Sequence, residues 1–172
     1  NPYNRNKIPK QAITNLKILL KNPKYKLQEI QDNNITKEQK MNQMVLSVFQ
    51  KIDELETYAG GTNIDWFLNL SSNQLKLYYK TLEDIWNYRS ELTHNRKNEI
   101  VPNKKMFPLS VHSYYNIVDK KKLRKIALHE MDKLISSSEK REDRILGSYY
   151  ILIGLVEVSQ DVANALPWLV QF

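Results

Sequence analysis

The chain of 172 residues contains no cysteine, which removes disulfides, thiolate zinc sites and cysteine nucleophiles from consideration. That absence fits a reducing compartment. Glycine and proline are scarce, at four and six residues, whereas an all-β chain needs turn residues about every ten positions. Long apolar runs are missing too. The longest, residues 145–158, is interrupted by Gly147, Ser148, Gly154 and Glu157 and falls short of the roughly 18 residues that a membrane span requires. It reads as a buried helix, and no membrane association is expected. No signal peptide is visible, and the chain does not open with methionine, so Asn1 is expected to start a fragment rather than to be the native terminus. Catalytic signatures are absent as well: there is no Gly-x-Ser-x-Gly elbow, no glycine-rich phosphate loop and no dinucleotide glycine pattern.

What is present points to helices. A hydrophobic fraction of 41% over this length supports one folded domain with a sizeable core. Pro9 suits a first helical position before the stripe Ala12, Ile13, Leu16, Leu19 and Leu20. Thr36 with Gln39 forms a capping-box pattern ahead of Met41, Met44, Val45, Val48, Phe49, Ile52 and Leu55, a helix expected to end at Gly60-Gly61. Ser71 with Gln74 repeats the box, after a brief turn at Trp66-Phe67-Leu68 and before an aromatic helix at 75–92. In that helix Leu75, Tyr79, Leu82, Trp86 and Arg89 share one face, and Tyr78, Ile85 and Tyr88 widen the apolar arc. Thr93 caps a short helix through Glu99. Prolines 102 and 108 then enforce an extended loop, the expected break in the bundle. Asp119 opens a helix through about Ile135, the serines at 136–138 cap the next one, and Ser159 starts a last short helix broken by Pro167. The expected architecture is all-α, a single compact bundle of six to eight helices with the apolar helix at 145–158 in its centre.

Residues that could carry chemistry are few. His94, His112 and His129 are far apart, and His129-Glu130 lacks the histidine at 133 that a zinc-protease helix needs, since Lys133 stands there. No metal and no cofactor are expected. The adjacent carboxylates Asp53-Glu54, Glu83-Asp84 and Glu142-Asp143 point apart on a helix and read as solvated charges. Arg89 has two readings: an anchor for a partner beside Trp86 and Tyr88, or an ion pair with an acid of the fold.

Charge is more telling. The net charge is +7, and residues 1–40 hold nine Lys or Arg against three acids, whereas residues 41–100 hold six against eight. In the C-terminal part the excess concentrates in Lys120, Lys121, Lys122, Arg124 and Lys125, preceded by Lys104 and Lys105 in the loop. Those seven residues are the candidates for phosphate contact, which gives salt-dependent affinity without sequence specificity. Tyr114-Tyr115 could stack on bases or pack in the core. At the other end, Trp168, Leu169 and Phe172 make an apolar tail that must dock, and they are the candidates for contact with a protein partner.

Two resemblances rest on particular residues. Asn1-Pro2-Tyr3-Asn4-Arg5-Asn6-Lys7-Ile8-Pro9 and the short helix after it resemble the closing segment of a U-box-like module. The resemblance covers about 20 residues and divides the chain into 1–22 and a helical domain at 23–172. The rest is similar to a family of proteins of giant and other large nucleocytoplasmic DNA viruses. The similarity is carried by Ile64-Asp65-Trp66-Phe67, by Leu82-Glu83-Asp84-Ile85-Trp86-Asn87-Tyr88-Arg89, by Ile100-Val101-Pro102 with Phe107, and by Ala165-Leu166-Pro167-Trp168-Leu169. It implies a viral origin, a recurring helical module and an intracellular setting, in host cytoplasm, viral factory or virion, and no catalytic residue. The expected function is a non-enzymatic interaction or scaffold module serving viral gene expression or particle assembly, with protein partners. The alternatives are nucleic-acid binding through the basic residues and substrate recruitment for a U-box-type ubiquitin ligase.

Overall fold

The computed structural model describes residues 36–55, 60–103 and 105–170. The chain divides into two units, Asn1–Lys37 and Glu38–Phe172. The helix expected after Pro9, the U-box-like segment at 1–22 and the boundary at 23 lie outside the described residues.

Among the described residues there are eight α-helices and no strand. Helix α1, Lys37–Glu54, starts directly after Thr36 and buries Val45, Val48, Phe49 and Ile52, the three- and four-residue spacing of its sequence. It ends earlier than the glycine pair suggested. The Leu55 N–H bonds to Ile52 O, tightening the last turn, and the Leu55 carbonyl accepts from Arg141. Gly61, at φ 71°, follows in the left-handed region that glycine tolerates best.

After the short α2, Asp65–Leu68, comes α3, Ser72–Asp84. Its capping box is complete: the Ser71 hydroxyl accepts from the Gln74 N–H, and the Gln74 side chain accepts from the Ser71 N–H. Replacing such a cap costs about 1 kcal/mol. Gln74 also donates to Val158 O at 2.9 Å, so one side chain begins one helix and satisfies the end of another.

The aromatic helix departs from expectation at its end. Ile85–Arg89 forms a π turn, with Ser90 N–H bonded to Ile85 O. One extra residue in a turn rotates everything after it. Leu75, Tyr78, Tyr79, Leu82, Ile85 and Trp86 are buried as the pattern required, but Tyr88 is 69% exposed and Arg89 turns outward to pair with Glu157. The helix therefore stops at Arg89 and not at Leu92, and Glu91 follows at φ 50°. Arg89 takes the ion-pair role.

Helix α4, His94–Ile100, is capped by Thr93 as expected. Helix α5, Val111–Tyr115, was not legible beforehand and is capped by Ser110. Helix α6, Lys120–Ser136, is opened by the Asp119 carboxylate, which accepts from the Lys121 N–H. Helix α7, Arg141–Val158, begins at Lys140 with no side-chain cap, correcting the assignment of the serine run. Ser138 instead accepts from the Lys140 N–H and donates to Asp143. Helix α8, Gln160–Ala165, and a 3-10 turn at Pro167–Leu169 close the described chain.

Helix α7 lies at the centre and packs on α3, α4, α6 and α8. Two glycines set how closely its neighbours approach. A methyl on Gly147 would overlap the Leu134 carbonyl of α6, and one on Gly154 would come within 2.9 Å of the Tyr78 ring of α3. Small residues at these crossings let large ones fill the space beside them. Leu134, Ile151, Leu152, Leu155 and Tyr78 are all buried there, and each aliphatic one contributes about 1.5–3 kcal/mol against exposure before ordering entropy is subtracted.

Candidate functional site

The loop between α4 and α5 is docked rather than loose, and it builds one wall of the candidate site. Val101, Met106 and Phe107 are buried. Phe107 sits at φ 50°, strained for a large residue, and its N–H donates to the buried carboxylate of Glu130 at 2.8 Å. Glu130 also accepts from Lys133 at 2.9 Å, and Lys133 donates onward to Lys105 O at 3.0 Å. The hydroxyl of Tyr79 reaches Leu109 O at 2.7 Å, while its ring stacks on Tyr114 at 4.0 Å and meets Phe107 edge-on at 5.3 Å. Burial raises the hydroxyl pKa of Tyr79 and of Tyr114, so both stay protonated as donors. Tyr114 donates to Leu123 O at 2.8 Å, tying α5 to α6. Of the two readings of Tyr114, core packing holds; Tyr115 beside it is 38% exposed.

Beneath this wall, α5 and α6 enclose a groove of about 730 Å³ lined by Pro108, Leu109, Ser113, Ile117, Lys122, Lys125, Ile126, His129 and Glu130. Leu109, Ile117 and Ile126 make its apolar floor, partly exposed and packed against the core. Lys122, Lys125 and His129 are exposed at its margin, at the three- and four-residue steps that bring side chains together on α6. On the other flank of α6 a smaller hollow of about 190 Å³ lies between α1 and α6, lined by Met44, Ser47, Val48, Lys51, Leu128, His129 and Asp132. Burial alone would raise the Asp132 carboxyl, but Lys51 at 2.8 Å and the Ser136 hydroxyl at 2.9 Å both donate to it and hold it below its ordinary range.

The basic candidates separate. Lys121, Lys122 and Lys125 are exposed on α6. Lys120 is half-buried, and burial followed by the neighbouring charge of Arg124 lowers its pKa. Arg124 is consumed by the fold, because it donates to Leu68 O at the end of α2. Lys105 is exposed and its carbonyl serves the Glu130–Lys133 lock, while Lys104 lies outside the described residues. Of the partner-contact candidates, Trp168 is 44% exposed with its ring edge-on to Tyr149, and Leu169 is 2% exposed, docked into the core and closed to a partner. Phe172 lies outside the described residues.

Two acids are engaged inside the fold. Asp143 is buried rather than solvated: it accepts from Arg96 and Ser138. Burial alone would raise its pKa, but those two partners outweigh it and hold the carboxyl below the usual range. Glu130 was passed over, although it occupies the stripe Leu123, Ala127, Glu130 and Leu134, where a carboxylate among buried positions signals a specific partner. The groove's apolar residues, by contrast, had no individual signal, since they come from three separate segments.

His94, His112 and His129 stand on three different helices. Among the described residues no three potential metal ligands gather, and no described helix is long and apolar enough to cross a membrane. Comparison with family models, with curated proteins and with solved structures finds no match.

Proposed function

We propose that the chain is a non-enzymatic helical interaction module that receives a segment of a protein partner in the α5–α6 groove. The observation that carries this is the groove itself: an apolar floor of Leu109, Ile117 and Ile126 beneath exposed lysines, beside a wall held by the buried Glu130–Lys133 pair. A floor of that kind, rimmed by polar groups, is what protein recognition uses. On the resemblance to proteins of large DNA viruses, the module serves in an infected cell, in gene expression or particle assembly.

The test is recovery of partners on the tagged chain from infected-cell lysate, at low and high salt and with nuclease. A reproducible protein partner that survives nuclease and is lost on Lys122→Glu with Lys125→Glu supports the module. Recovery of nucleic acid alone, with no reproducible protein, overturns it. A second reading, direct nucleic-acid binding, is favoured by the exposure of Lys121, Lys122 and Lys125 on one helix. It requires affinity that falls steeply with salt, and a salt slope that flattens when those three charges are removed. The third, recruitment for a U-box-type ligase, rests on residues 1–22, outside the described residues.

A further inference from the structure

Resting on that reading, we infer that the occupant of the groove is an acidic amphipathic helix that seats about two turns on it. The groove follows α6 from Lys122 to Glu130, while the smaller hollow lies on the opposite flank of that helix, beyond Lys125 and His129. Eight helical residues span about 12 Å, the length of about two helical turns. The floor offers Leu109, Ile117 and Ile126.

The ways in which proteins take up peptides leave few choices here. Strand addition needs a sheet edge, and the described residues contain no strand. Proline-rich ligands need an aromatic-lined trough, and no Phe, Tyr or Trp lines either hollow. Phosphopeptide capture uses arginine clusters, and neither hollow is lined by arginine. A helix laid into an apolar groove is the mode that remains. Nucleic acid fits poorly, because isoleucine and leucine give its bases no ring to stack on.

Charge then selects the sign of the occupant. The acid that lines the groove and the one across α6 are both already engaged: Glu130 by Lys133 and the Phe107 N–H, and Asp132 by Lys51 and Ser136. Lys122 and Lys125 have no ion-pair partner among the described residues, and His129 adds no negative charge. The unanswered charge along the trough is positive, so acidic side chains flanking the apolar stripe of the incoming helix complete it.

The experiment is a fluorescence-anisotropy titration of the full chain with labelled peptides of about twelve residues, three helical turns. One carries leucines at helical spacing flanked by glutamates, a second replaces the glutamates by lysines, and a third scrambles the acidic one so that its leucines share no face. A single-stranded oligonucleotide is the fourth probe. The acidic amphipathic peptide should bind at least about tenfold more tightly than the other two peptides, and Lys122→Glu with Lys125→Glu should weaken it about tenfold or more. Ile126→Ser should weaken it at high salt as well, with circular dichroism checking that each variant keeps its helices. Equal binding of the scrambled or lysine peptide, indifference to the lysine variant, or binding of the oligonucleotide alone overturns the inference. If the lysate partner still depends on Lys122 and Lys125 while no acidic peptide binds, the occupant is wrong and the interaction module stands.

Discussion

The crossing of α3, α6 and α7 and the corner built by α5, the loop before it and the outer face of α6 are held together by different forces. At the crossing, the constraint is fit: Gly147 against the Leu134 carbonyl, Gly154 against Tyr78, and a continuous apolar core around them. At the corner, the constraint is satisfaction: each polar group taken from water, Glu130, Lys133, Tyr79 and Tyr114, reaches specific partners. Apolar packing is non-directional and tolerates exchange of one residue for another of similar size. Buried polar contacts do not, since a missing partner leaves a desolvation cost that nothing offsets. The contrast suits the proposed role, because a groove keeps its shape for a partner only if its wall does not move.

Substitutions can break this contrast in order of size. The largest loss is expected for Trp86→Ala, 6% exposed in the π turn that follows α3: about 3–5 kcal/mol in denaturant unfolding. An unchanged midpoint together with a lost partner would return Trp86 to the surface. Next comes Glu130→Ala, which leaves Lys133 buried with only the Lys105 carbonyl, for about 3 kcal/mol. The double replacement Glu130→Met with Lys133→Met should recover much of that stability. If it also restores binding, the corner needs only to be filled and not to be hydrogen-bonded, and the contrast between the two regions fails.

The acid limb of stability is a third way to sharpen the comparison. Asp143 has a depressed carboxyl pKa, owed to Ser138 and Arg96 against the opposing effect of burial. A depressed folded pKa means that its contribution is present above the unfolded value of about 3.9 and is lost as pH falls through the folded value. Thermal melts of Asp143→Asn should therefore show a flatter decline below about pH 4 than the parent chain. An identical acid profile in the two would mean that the Arg96–Asp143 contact does not persist in solution. The smallest effect is expected for Arg89→Ala. Its pair with Glu157 is about one-third exposed on both sides, at 35% and 36%, and removing it should cost about 0–1 kcal/mol and less in high salt.

Particular elements show how far the sequence could be read. Three helices that begin with a side chain bonding its own neighbours, at Ser71, Thr93 and Asp119, had starts legible to the residue, whereas the same kind of cap at Ser110 heads a helix too short to show a stripe. Those bonds span two or three residues and depend on nothing farther away. Helix α7 was legible from its apolar run, and α1 from its stripe. The end of the aromatic helix was not: a π turn depends on how Trp86 and Ile85 pack, and it moved Tyr88 and Arg89 away from the face their spacing implied. Among the candidate residues, runs of like charge misled most, because Lys121, Lys122 and Lys125 are exposed while Arg124, in the midst of them, fastens α2.

By itself, then, the sequence determined that the chain is helical, where most helices start and which residues form the core, since propensity, capping and periodicity act over a few residues. The tertiary structure alone decided which charges are spent inside the fold and which remain outside it. Glu130 meets Phe107 across 23 residues, Asp143 meets Arg96 across 47 and Arg124 meets Leu68 across 56. The groove exists for the same reason: its floor is assembled from Leu109, Ile117 and Ile126, and such partners are chosen by proximity in space, which no local rule of spacing specifies.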